Sequence, residues 1–186
     1  MLARGAVLNL LGQGTPLLVA VVCLPFVATG LGLERFGLLV LCWTVVGAAT
    51  AFDLGFARAT VRMISAALAR GAEHEVSRIL GTTLLAQAAL GAVAAVLVFA
   101  AAPALSSRVF AFPDYLQSDG TAALRLIAIG IPVVLMSSSL RGVLSASQQF
   151  AAANAMTISS NSSVYVLSAI GAAAGWTLPA IVALLV

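Results

Sequence analysis

The chain has 186 residues, of which 62% are hydrophobic and only 8% charged, and its mean hydropathy is +1.13. An average soluble domain carries about 25% charged residues, so a water-soluble fold is excluded and most of the exterior must lie in lipid. The net charge of +3 comes from nine basic residues, all arginine, scattered between apolar runs; without a basic patch to gather phosphates, nucleic-acid binding is excluded as well.

Five apolar stretches are long enough to cross about 30 Å of hydrocarbon at about 1.5 Å per residue: 8–29, 36–56, 79–104, 122–144 and 151–174. A sixth, 178–186, covers only about 14 Å as a helix. The first run follows Arg4 and superficially resembles a signal peptide, but it is too long and further spans follow, so it reads as an uncleaved membrane helix. Residues 1–186 therefore form a single transmembrane lobe, an all-α polytopic helical bundle of about five complete transmembrane helices plus a truncated sixth.

Arg4, Arg58, Arg62, Arg70, Arg78 and Arg141 sort to one side of these spans, and Arg35, Arg108 and Arg125 to the other. The positive-inside rule then places the N-terminus in the cytoplasm. Gly71 reads as a helix stop, and Glu73 and Glu75 suit the first turn of the helix that follows. The second span is accordingly expected to run as one helix from Phe36 to about Arg70. The outer connection 106–120, with Phe110-Ala-Phe-Pro-Asp-Tyr115, fits an interfacial loop whose aromatics serve as headgroup anchors or as a substrate platform.

Polar groups at membrane depth are costly and tend to face the bundle interior or a wet cavity. In the first span Asn9 and Gln13 lie one turn apart, with Pro16 on the same side. Asp53 is the only acid within any span. Its spacing of five from Arg58 turns about 500° of helix, leaving the two about 140° apart, so a cation for Asp53 must come from elsewhere. Arg58 and Arg62 share a face at i, i+4; they either snorkel to headgroups or meet a phosphate-bearing substrate.

The fifth span is the most polar. Asn154, Thr157, Asn161, Tyr165 and Ser168 fall within about 80° of one another at about 100° per residue. Ser159, Ser160, Ser162 and Ser163 widen the stripe, which either hydrogen-bonds neighbouring helices or lines a polar translocation path. Gly171 and Gly175 have the small-xxx-small spacing of close helix packing. The sequon Asn161-Ser162-Ser163 lies at membrane depth and reads as coincidence.

Catalytic chemistry is thinly represented. His74 is the only histidine, Cys23 and Cys42 lie in apolar runs as small hydrophobes, and no nucleotide-binding glycine motif follows a strand pattern. The reading is of a non-enzyme with no metal and no cofactor.

The order of features resembles the N-terminal portion of the polysaccharide biosynthesis proteins, the Wzx-type oligosaccharide (O-antigen) flippases of the multidrug/oligosaccharidyl-lipid/polysaccharide (MOP) exporter superfamily. Asn9, Thr29-Gly-Leu-Gly-Leu-Glu-Arg-Phe-Gly37, Phe52-Asp-Leu-Gly-Phe-Ala-Arg58, and Leu140-Arg-Gly-Val-Leu-Ser-Ala-Ser-Gln-Gln-Phe150 followed by Asn154 carry the likeness. It implies the N-terminal lobe of a MOP/MATE-like fold, two six-helix lobes around a cavity that opens alternately to either side. It puts Asp53 and Arg58 at the cytoplasmic part of that cavity.

The implied activity is flipping of an undecaprenyl-diphosphate-linked sugar unit across the bacterial inner membrane, with an ion gradient as the driving force. The implied partners are the lipid-linked oligosaccharide, membrane lipids and a missing C-terminal lobe. Two rivals stand beside this reading. A MATE-like drug/cation antiporter would need a cavity acid, and a non-transporting fragment or scaffold would need no polar path.

Overall fold

The computed structural model describes residues 2–51, 55–147 and 149–185, with side chains left undescribed at 2–13, 49–51, 150 and 184–185. Seven α-helices follow in order: α1 (Leu2–Leu31), α2 (Leu33–Ala51), α3 (Phe56–Ala69), α4 (Glu73–Ala104), α5 (Asp114–Ala146), α6 (Phe150–Ala173) and α7 (Leu178–Leu185). No strand occurs among the described residues. Among the described residues, three helical stretches are able to cross a membrane by length and composition: Gly14–Leu31, Glu73–Val109 and Asp114–Ala146. The serines and asparagines of α6 lower its hydropathy below that of these three.

The surface is that of a membrane protein. Leu17, Leu18, Val21, Val22 and Phe26 of α1, and Leu85, Val93, Val96 and Leu97 of α4, are all more than half exposed. In water such continuous apolar faces would drive association. The interior core is built around α5, whose Leu116, Ala123, Leu124 and Ile127 pack with Val27 of α1, Leu38, Leu39 and Cys42 of α2, and Leu178 and Val182 of α7. Ile131 and Leu135 continue the packing of α5 onto Ala94 and Val98 of α4.

Two helix pairs make the most extensive contacts, α4 with α5 and α1 with α6, whereas α5 and α6 touch each other only sparsely. The α4–α5 pair closes on a glycine. A Cβ on Gly91 would stand 2.6 Å from Pro132 Cα, a backbone atom that cannot rotate aside. The approach requires a residue with no side chain.

The single helix expected from Phe36 to Arg70 is instead two. Helix α2 ends at Ala51, and α3 starts at Phe56 behind Gly55, whose φ of 80° is in the left-handed region. A right-handed helix cannot pass through that conformation, and for a residue with a Cβ it costs about 1–2 kcal/mol. The expected stop at Gly71 is present: its N–H bonds the Leu68 carbonyl, and that of Ala72 reaches back to Ala67 at 3.0 Å, a Schellman cap. Glu73 and Glu75 occupy the first turn of α4, and Glu75 pairs with Arg70 at 3.0 Å across the turn.

The 106–120 segment is largely helical rather than a loop. After Pro103 withdraws its amide, α4 widens into one π-turn over Leu105–Val109, closed by the Phe110 N–H on the Leu105 carbonyl at 2.8 Å. Chain α5 then begins at Asp114. Phe110 and Phe112 stack at 5.6 Å and pack on the core, Phe112 filling the space over Gly120. Of the aromatics in this stretch, only Tyr115 points outward; its hydroxyl donates to the Glu34 carboxylate, tying the start of α5 to that of α2.

The glycines near the end of α6 have different tasks. Gly171 leaves room for Ile181, whose Cγ1 would be 2.7 Å from an added Cβ. Gly175 meets nothing, and at φ 70° it is the stop of α6 rather than a packing position.

The charges collect at two ends. Helix α3, the start of α4 and the end of α5 come together where Gly142 approaches Val61 Cγ2 at 3.1 Å for an added Cβ, grouping Arg58, Arg62, Arg70, Arg78 and Arg141. Glu34, Arg35, Arg108, Asp114 and Asp119 lie toward the opposite end, where Tyr115 meets Glu34. Arg125 is set further along α5, its guanidinium 5.1 Å from the centre of the Phe99 ring.

Candidate functional site

A cavity of about 470 Å³ lies between α2, α5, α6 and α7. Its apolar walls include Leu39, Val46, Ile127, Val134, Val164 and Val182. Set into them are one guanidinium, Arg141, the amide of Asn161, the hydroxyls of Ser137, Ser160 and Tyr165, and the indole of Trp43.

Each polar group is held by its helix. On α5, Val134, Ser137 and Arg141 recur at three and four residues, the spacing of one helix face, and present Ser137 and Arg141 to the same space. On α6, Ser160, Asn161, Val164 and Tyr165 do the same. Trp43 of α2 meets Tyr165 of α6 edge-on, with ring centres 5.4 Å apart and planes at 85°, a geometry worth about 0.5–1.5 kcal/mol. The Trp43 Nε1–H is buried with no acceptor among the described residues. Arg141 has no acidic partner there either, since the ion pair formed is Arg70 with Glu75.

The cavity is thus a low-polarity space holding one cation without an acidic partner among the described residues, the unengaged Trp43 Nε1–H, and further amide and hydroxyl groups, of which Ser137 donates to the Val133 carbonyl at 2.8 Å. Chemically it suits an anion that also carries hydroxyl or carbonyl groups. No acidic side chain lines it, and no cluster of His, Cys, Asp or Glu able to hold a metal occurs among the described residues.

The residues singled out from the sequence divide accordingly. Asn161 and Tyr165 line the cavity. Asn154 and Thr157 sit on the same helix nearer the basic end and do not; Thr157 Oγ1 donates to its own helix at the Ala153 carbonyl, 3.0 Å away. Ser168 is buried and likewise bonds Val164 within α6 at 2.7 Å. None of these stripe side chains hydrogen-bonds another helix among the described residues.

Arg58 and Arg62 are exposed on α3, apart from the cavity. Asp53 lies outside the described residues, as do the side chains of Asn9 and Gln13 on α1. Sorting the charges counted Arg141 only as a loop cation, and Trp43 drew no notice. The spacing of Ser137 and Arg141, one turn apart after an apolar face, was the signal available.

Comparison with known proteins places this geometry in context. No solved structure matches the chain. Among curated proteins it is similar to a "Putative O-antigen transporter" of Shigella flexneri, with 29% identity over 188 residues that include 97% of this chain. The chain spans 42% of that protein's length. Residues 2–186 match the family described as polysaccharide biosynthesis protein. The helical membrane architecture, the family match along essentially the whole chain and the resemblance carried by its motifs agree, and the chain belongs to the polysaccharide biosynthesis protein family.

Proposed function

We propose that the chain is the N-terminal lobe of a bacterial inner-membrane flippase that moves undecaprenyl-diphosphate-linked oligosaccharide units from the cytoplasmic to the outer leaflet. The observation that carries this reading is the composition of the cavity: Arg141, with no acidic partner among the described residues, stands beside Asn161, Tyr165, Ser137 and Ser160 along apolar walls. A diphosphate is recognised by a guanidinium fork, and a glycan by hydroxyl and amide partners. Moving both through hydrocarbon requires them in one protected space.

In this reading five spans cross the membrane, α2 continuing towards α3 at the cytoplasmic surface, and α7 belongs to the sixth. The N-terminus faces the cytoplasm, in agreement with the cluster of arginines at one end of the bundle. Asp53, Asn9, Gln13, Arg58 and Arg62 belong to the cytoplasmic approach to the cavity, and Asn154 and Thr157 to its basic end. The second lobe closes the cavity, and an ion gradient drives the cycle.

The alternative of a cation antiporter needs an acid facing the substrate; among the described residues the lining offers an arginine and no acid. The test is transport by the full-length protein in proteoliposomes. A fluorescent lipid-linked oligosaccharide should become accessible to an external reagent at a rate above protein-free vesicles. Movement of cationic dyes without the lipid-linked glycan would overturn the proposal.

A further inference from the structure

A second cavity, about 330 Å³, lies in the groove between α3 and the start of α4, lined by Phe56, Ala59, Thr60, Met63, Arg78, Ile79, Thr82, Thr83 and Ala86. It shares no residue with the central cavity. Its floor is closed by Thr60, which is 1% exposed, donates to the Phe56 carbonyl at 2.7 Å and stands 3.2 Å from Thr83 Oγ1. Thr83 in turn donates to the Ile79 carbonyl at 2.9 Å, and Thr82 to that of Arg78. With the threonines bonded to their own helices, the groove is mostly apolar: Met63 is 54% exposed along it, with Phe56, Ile79 and Ala86.

One group breaks that pattern. Arg78 contributes to the lining, and the nearby acid that could neutralise it, Glu75, is already paired with Arg70. Arg58 and Arg62 add positive charge on the exposed side of α3, at the end of the bundle where the arginines collect. An apolar trough ending in a guanidinium with no acidic partner among the described residues, at the basic end of a membrane protein, is complementary to one kind of occupant, an amphiphile with an anionic phosphate and an alkyl chain.

We infer that the α3–α4 groove is a resident site for an anionic phospholipid of the membrane leaflet at the basic end, its phosphate on Arg78 and an acyl chain along Phe56, Met63, Ile79 and Ala86. Because the groove is separate from the central cavity, the lipid is a fixed constituent rather than cargo, and the site stands whether or not the cargo is a glycan. The lipid fills the space beside α3 and holds this short amphipathic helix against α4.

The experiment uses the full-length protein in phosphatidylethanolamine nanodiscs containing phosphatidylglycerol with a photoreactive group on one acyl chain, the crosslinked peptides being mapped by mass spectrometry. Label should appear on the segments 56–63 and 79–86 and exceed that from an equally photoreactive phosphatidylethanolamine. R78Q should lower it about tenfold, as for the loss of one charge-assisted contact, whereas R62Q, which removes the same charge from exposed α3 outside the groove lining, should leave it within about twofold. A59W, which fills the groove, should abolish it.

Equal labelling by the two lipids, an equal loss in R62Q and R78Q, or competition by excess inorganic phosphate would overturn the assignment. So would absence of label from both segments, the result expected if another part of the polypeptide covers the groove.

Discussion

Arg141 concentrates the function proposed for this lobe in one side chain. It is the single cation of the central cavity and has no acid beside it among the described residues, so its charge is available to a ligand. Arg141→Ala should lower glycolipid flipping at least about tenfold, corresponding to one charge-assisted hydrogen bond of about 1.5–3 kcal/mol. Arg141→Lys keeps the charge but loses the planar fork and should fall between the two. Expression and thermal stability measured in parallel separate this from misfolding. Trp43→Phe keeps an aromatic ring facing Tyr165 and removes the unengaged Nε1–H together with the pyrrole ring that carries it. A moderate loss of transport at unchanged melting temperature is therefore expected, and unchanged transport would show that the indole donor meets no substrate.

Gly91 carries the opposite kind of constraint. Its neighbour is the Pro132 backbone at 2.6 Å from a built Cβ, so Gly91→Ala must push α4 and α5 apart. Overpacking of this kind costs about 1–3 kcal/mol. A lowered melting temperature in detergent should follow, whereas Gly81→Ala, where nothing lies within 4 Å, should leave it unchanged or slightly raised.

Among the elements, the break between α2 and α3 separates an apolar helix from an amphipathic one. Gly55 permits that break with its left-handed backbone, and Gly55→Ala is expected to cost about 1 kcal/mol through backbone strain alone, read as a shift in thermal unfolding of the purified protein. Hydropathy could not reveal this boundary. Apolar residues run on from α2 through Phe56, and a lone glycine in a helical pattern is common enough to pass unremarked.

The Gly71 stop was legible for the opposite reason: it is followed by two glutamates that suit a new N-terminus, so two independent signals coincide. The outer connection misled because Phe110, Pro113 and Asp114 have the composition of an interfacial loop. Only the packing of Phe112 over Gly120, a contact local sequence does not encode, turns the segment inward. The stripe on α6 was visible as a periodicity. Which part of it meets the cavity depends on how far α2 and α5 reach along it, and only Asn161 and Tyr165 of the five do so.

For the molecule as a whole, the helices bring together the arginines that sequence order had already sorted, and this makes the orientation testable. Ser65 is exposed on α3 at the basic end, and Ser107 is exposed in the π-turn near the other. In a variant of the full-length protein lacking Cys23 and Cys42, S107C should react with a membrane-impermeant maleimide added outside spheroplasts. S65C should react only after the membrane is opened. The reverse pattern would invert the proposed topology.

The unequal pairing of the helices has a further consequence. Helices α4 and α5 form one tight couple and α1 and α6 another, while α5 and α6 barely touch, and the cavity with Arg141 on one side and Asn161 and Tyr165 on the other lies along that seam. In hydrocarbon no hydrophobic force closes a gap between helices, so the α5–α6 seam can widen beside Arg141 while the core of α1, α2, α5 and α7 around Leu124 keeps the two couples joined. The width of the binding space is therefore an adjustable quantity. In the function proposed, such a bundle would grip the diphosphate when narrow and accommodate headgroups of differing bulk when wide, without rebuilding either couple.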